Sequence, residues 1–172
     1  MKGEHPYVKW AIKVIESKIR KGINLEPDPN LLPSELFQKK AGVFVTLHTL
    51  DGDLRGCIGT FLPTTQDLAH EIAQNAISAA LEDPRFEPVS PEELDDIVVS
   101  VDVLSTPEEV KSEKVLDPKK YGIIVESGWR RGLLLPDLED VDTVEDQIKI
   151  AMMKAGIKKY DRIYRFTVER YH

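Results

Sequence analysis

Six consecutive residues, Leu54-Arg55-Gly56-Cys57-Ile58-Gly59, place the chain's one cysteine between two glycines and two positions beyond an arginine. If the segment is extended, Arg55, Cys57 and Gly59 share one face and Leu54, Gly56 and Ile58 the other. The guanidinium and the thiol then start roughly 6–7 Å apart, the rise of two residues. A guanidinium beside a thiol favours the thiolate, which is the nucleophilic form. Glycines at Gly56 and Gly59 weaken a strand and mark a bulge or the close approach of a ligand or another backbone. The chemistry these residues could do is nucleophilic: Cys57 attacks, Arg55 stabilises the thiolate, and Asp83 or His48 carries the proton. The alternative is a buried cysteine acting as a small hydrophobe, an arginine in an ion pair and glycines serving a bulge.

Other groups compete for attention. Asp83 and Arg85 flank Pro84, and read either as a general base with an anion clamp or as a turn with an ion pair. His48 shares a strand face with Phe44 and Thr46; a Cys–His pair would be the usual activated nucleophile, but a surface histidine at a strand end is the commoner case. Trp129 precedes Arg130 and Arg131, a combination that stacks a base or grips a phosphate, or simply protects a sheet edge with charge. Six of the ten residues from Asp137 to Asp146 are acidic, but they lack the glycine and closing glutamate of an EF-type loop and suit a helix N-terminus better.

The elements that must position these residues are legible. Pro6 to Lys21 reads as a helix, with Ala11, Ile12, Ile15 and Ile19 on its apolar face and Gly22 closing it. A proline-punctuated loop follows, fixed by a short turn at Ser34–Phe37. Gly42–Leu50 and Leu54–Thr60 form a hairpin about Asp51-Gly52. Thr64 and Asp67 resemble a capping box for a helix running to about Leu81, whose face carries Leu68, Ile72, Ala76, Ala79 and Ala80. After the break at 83–88 and a short helix near Pro91, Ile97–Leu104 alternates as a strand. Tyr121–Glu126 and Arg130–Leu135 form a second hairpin, Thr143 caps a helix to Ala155, and Arg162–Arg170 is one final strand with Tyr164, Phe166 and Val168 inward. Strands arriving as hairpins, with few helices, predict an α+β fold: a mainly antiparallel sheet with helices packed on one side. One domain over 1–172 is expected, with 121–135 a candidate for a smaller lobe.

Composition narrows the function classes. The net charge of -7 steers the chain away from phosphate backbones, which argues against general nucleic-acid binding. One cysteine allows neither an intrachain disulfide nor a thiolate zinc site, and the four histidines have no ligand spacing, so no metal or cofactor is expected. No apolar run has the length of a membrane helix and the N-terminus has no signal core, which predicts a cytoplasmic protein without membrane contact.

Several segments in order resemble one family. Leu54-Arg55-Gly56-Cys57-Ile58-Gly59-Thr60 resembles the signature of the AMMECR-type domain. Gly42–Leu47, Ala79-Ala80-Leu81-Glu82-Asp83-Pro84-Arg85-Phe86, Gly132–Pro136 and Lys154–Gly156 match it too. The resemblance covers nearly the whole chain. It departs at Tyr121, where many members carry histidine, and at Asp137, where glutamine is common. The resemblance implies association with Memo-type and radical-SAM proteins, here as separate partners, and a modification pathway acting on a small molecule or nucleobase. Gly56, Gly59, Thr60, Arg85 and Tyr121 are the expected ligand contacts. A cysteine-dependent enzyme and a non-catalytic binding module built on the same groove are the two functions these residues support.

Overall fold

The structure is a computed structural model describing residues 1–172. It divides into two compact units, the first Met1–Val103 with Glu169–His172, the second Leu104–Val168.

The first unit holds helices α1 (Pro6–Lys21), α2 (Glu35–Gln38) and α3 (Leu68–Leu81) and strands β1 (Val43–Thr49), β2 (Leu54–Thr60) and β3 (Ile97–Leu104). Pro6 starts α1 and Gly22, at φ 69°, ends it in the left-handed conformation that glycine adopts without steric cost. Its buried side is Tyr7, Val8, Trp10, Ala11, Val14 and Ile15. Of the expected apolar face, Ala11 and Ile15 are fully buried and Ile12 and Ile19 pack partly buried against the same core; Trp10 also turns inward and donates its indole N–H to the Ala69 carbonyl of α3 at 2.9 Å. The sheet runs β2-β1-β3-β8, where β8 is Val168–Tyr171. β1 pairs antiparallel with both β2 and β3. Val43, Val45 and Leu47 of β1 bury against the helices' core cluster, with Leu36, Leu68 and Ile72 among their neighbours there. By strand alternation Phe44, Thr46 and His48 lie on the other face.

The second unit pairs β4 (Glu108–Glu109), β7 (Arg162–Phe166), β5 (Gly122–Ser127) and β6 (Arg130–Leu134) in that order, with antiparallel register throughout. Helix α4 (Val144–Ala155), capped by Thr143 and ended by Gly156 at φ 66°, covers β5 and β6. Ile123, Val125, Leu134, Ile148, Ala151 and Ile163 form its separate core.

Three details differ from the sequence-based expectation. The antiparallel strands form two sheets, the second of which holds the 121–135 hairpin expected as a candidate smaller lobe. The long last strand breaks at Thr167, so that Arg162–Phe166 joins one sheet and Val168–Tyr171 the other; Ile163 and Phe166, rather than Tyr164, are the buried residues of β7. Asp67, not Thr64, caps α3, accepting the His70 N–H at 2.9 Å. No helix is long and apolar enough to cross a membrane.

Candidate functional site

β2 is an edge strand, and its central residue is Cys57. Thr46 of β1 lies directly opposite, and the Cys57 thiol and the Thr46 hydroxyl are 3.3 Å apart. Such closeness fits a non-hydrogen-bonded antiparallel pair, in which the side chains approach and the backbone groups point outward. The outward groups of Cys57 are both taken. Its N–H donates to Asp83 Oδ2 at 2.9 Å, and its carbonyl accepts from Arg85 Nη2 at 3.2 Å. The Asp83–Arg85 pair does for this edge what a neighbouring strand would do, and so closes it to stray pairing.

Asp83 is saturated. Besides the Cys57 N–H it accepts the Arg85 N–H, Nε and Nη2 at 3.1, 3.0 and 2.8 Å. The Arg85 guanidinium, helped by these backbone N–H groups and opposed by burial, holds the Asp83 carboxyl well below the usual carboxylate range. A carboxylate so placed is a weak proton acceptor. Three of the five N–H groups of Arg85 are committed to Asp83 and Cys57, and its side chain is 55% exposed. The Arg85 guanidinium also stacks over Phe86 at 5.4 Å.

Arg55 has a different engagement. The register between β1 and β2 passes from Leu47↔Gly56 to His48↔Leu54, which leaves Arg55 as the extra residue of a β-bulge. Its Nε and Nη2 bind the two Glu93 oxygens at 2.8 and 3.1 Å, and Nη2 also donates to the Glu87 carbonyl at 2.9 Å. Arg55 in turn holds the Glu93 carboxyl below its ordinary value. The cation acting on the Cys57 thiol is therefore Arg85. Burial nonetheless pushes the thiol above its ordinary value, and the Thr46 hydroxyl and the Arg85 charge do not offset it. His48 pairs with Leu54, one same-face position beyond Thr46, and makes no hydrogen bond to the sulfur.

The two glycines admit the protein's own atoms. A Cβ at Gly56 would overlap the Ala79 carbonyl oxygen, so α3 lies directly on the strand there; a Cβ at Gly59 would overlap the Phe44 ring. Thr60 donates to the wholly buried Glu71 at 2.5 Å and accepts from Asn75 Nδ2 at 3.1 Å. Glu71 is not among the residues that sequence pattern singles out. Its oxygens also accept the hydroxyls and backbone N–H groups of Thr64 and Thr65 at 2.7–2.9 Å. Burial alone raises a carboxyl pKa, yet these donors keep Glu71 below its ordinary value. Three threonines converging on the stretch before a helix were the available signal. Tyr121 belongs to the second unit, where its ring lies under the Arg165 guanidinium at 4.4 Å and beside the Lys120 ammonium at 5.1 Å. The first unit thus brings Arg55, Gly56, Cys57, Gly59, Thr60, Asp83 and Arg85 to one strand and its edge, with His48 on the neighbouring strand.

Fold and site define a class of α+β protein whose Arg-Gly-Cys strand is clamped at its edge by an Asp-x-Arg pair. The chain belongs to the AMMECR1 family, whose model matches residues 8–172. It is 66% identical to a protein of Thermotoga maritima over 174 residues, covering 99% of each chain. Protein CA_C1420 of Clostridium acetobutylicum is 48% identical over 166 residues, 96% of this chain, and the match spans 34% of that protein. The crystal structure of the uncharacterized protein PH0010 from Pyrococcus horikoshii is similar in fold, with a TM-score of 0.88 and 36% identity, covering 95% of this chain and 88% of that one.

Proposed function

We propose that the protein is a non-catalytic binding module, and that Cys57 is a contact residue in it, not a nucleophile. The observation carrying this is the state of the thiol: burial raises its pKa, its hydrogen-bond neighbour is the Thr46 hydroxyl, and Asp83, which holds the Cys57 N–H, is fully occupied. A thiol enzyme needs a depressed pKa and a base within hydrogen-bond reach.

The surface around Cys57 suits a small polar ligand. Thr46, Cys57 and His48 offer hydrogen-bonding groups on one face of the sheet, and Phe44 offers an apolar one. Arg85 keeps two N–H groups at Nη1 beyond those committed to Asp83 and Cys57, enough to meet a carbonyl or an anionic group. Gly56, Gly59 and Thr60 serve this site by setting the strand's path against α3, Phe44 and Glu71. A module of this kind works beside separate Memo-type or radical-SAM proteins, delivering or retaining a small molecule for them.

The test is ligand-induced stabilisation. A set of small polar metabolites, nucleobases included, is screened by thermal shift against the wild type and Thr46→Val, a change that removes the hydroxyl but keeps the shape. The reading expects a compound that stabilises the wild type, loses that effect with Thr46→Val and is recovered chemically unchanged. A compound that is turned over by the wild type and not by Cys57→Ser would replace the binding module with an enzyme.

A further inference from the structure

We propose that the tip of the β5–β6 hairpin in the second unit is a docking site for an acidic surface of a partner protein. The hairpin carries Trp129, which is 85% exposed, whereas the chain's other tryptophan, Trp10, is 3% exposed. An exposed tryptophan at a turn leaves a large apolar surface in water, and burying it is strongly favourable. Its position is not loose. The Arg130 guanidinium lies over the indole ring at 5.2 Å and donates through Nη1 to the Gly156 carbonyl at 2.8 Å. The following segment is held to the same hairpin at its other end, where Asp161 donates its N–H to the Glu126 carbonyl at 2.8 Å and accepts the Gly128 N–H at 3.2 Å.

Lys158 and Lys159 lie between those two attachments and are exposed. Met153, three residues before the Gly156 cap, is 70% exposed. Residues 126–131 and 156–161 together contain four cations (Arg130, Arg131, Lys158, Lys159) against two carboxylates (Glu126, Asp161), in a chain whose net charge is -7. Both carboxylates are engaged, Glu126 by Arg131 at 2.7 Å. The tip is thus a cationic patch around an aromatic anchor. Tryptophan and arginine are the residues that dominate binding energy at protein interfaces, and methionine is enriched there. A cationic rim selects an acidic partner and accelerates its approach.

A nucleic acid fits less well. One face of the single indole is already covered by Arg130, whereas strands are held on successive aromatic platforms.

The test is selection of a random peptide display library on the whole protein, followed by titration of the enriched peptides while Trp129 emission is read. Trp129→Ala is the control variant, and its fold is checked by circular dichroism. The proposal expects acidic peptides with an apolar anchor, which shift the emission, weaken as salt is raised, and lose roughly 30-fold in affinity with Trp129→Ala. Enrichment of no peptide that depends on Trp129, or only of peptides without acidic residues, overturns it. So does tighter Trp129-dependent binding of oligothymidylate or of phosphatidylserine vesicles than of any selected peptide.

Discussion

Around Cys57, single residues matter through which of their charges are already committed. Asp83 is 5% exposed and accepts four hydrogen bonds. Asp83→Ala leaves the Cys57 N–H unpaired and frees the Arg85 guanidinium, and should cost about 2–4 kcal/mol of stability, read from a urea midpoint at constant slope. The same carboxylate sets a pH dependence. Its folded pKa is depressed, so its contribution is present above the unfolded carboxylate range near 4 and is lost as pH falls below it. Urea midpoints measured from pH 6 down to pH 2.5 should fall, and Asp83→Asn should flatten that fall; an unchanged slope would remove Asp83 from the explanation. The sequence made Cys57, Arg55, Asp83 and Arg85 visible as a group. It did not show their partners, since Arg55 pairs with Glu93, 38 positions away, and a bulge takes it out of regular alternation. The Asp83-Pro84-Arg85 turn was legible as an ion pair; that it caps the edge of β2 is a tertiary fact with no local signature.

At the scale of elements, close packing and one buried carboxylate fix the strand that carries the site. Gly56→Ala brings a Cβ onto the Ala79 carbonyl, which is backbone and cannot swing away, so a loss of about 2–4 kcal/mol is expected from thermal or urea unfolding. Glu71→Gln replaces an acceptor-only carboxylate by an amide whose NH₂ meets donors from Thr60, Thr64 and Thr65. It should destabilise by about 1–3 kcal/mol and raise amide exchange over residues 61–66 more than elsewhere; uniform exchange would contradict the role given to Glu71. Helix and hairpin boundaries were readable because proline, glycine and Asp-Gly act locally: Pro6, Gly22, Asp51-Gly52 and Gly156 each stand where their backbone preferences predict. The break at Thr167 was not, because a chain passing from one sheet to another keeps strand-forming residues on both sides of the passage. The Thr64 cap was misplaced for a related reason: the threonine's partner is a carboxylate one turn inside α3, not a helix N–H.

For the whole molecule, there are two hydrophobic cores, and the 121–135 hairpin expected as a candidate smaller lobe lies in the unit that holds the second. Nothing in composition separates them, as both draw on the same valines, isoleucines and alanines; only the pairing of strands into two sheets does. The net charge does carry through to behaviour. The protein should show no measurable affinity for random-sequence duplex DNA at physiological salt in a fluorescence anisotropy titration, because a chain of this charge gains little from counterion release. Affinity in the micromolar range there would show that local basic patches outweigh the total.

If the Cys57 thiol is unactivated and serves a binding surface, the rate of its alkylation by iodoacetamide against pH, in native and in urea-unfolded protein, will show it. The native thiol should react slowly at neutral pH, with an apparent pKa above the free value of about 8.5, and faster on unfolding. Rapid native alkylation at pH 6–7, faster than in the unfolded chain, would contradict it and restore Cys57 as a nucleophile.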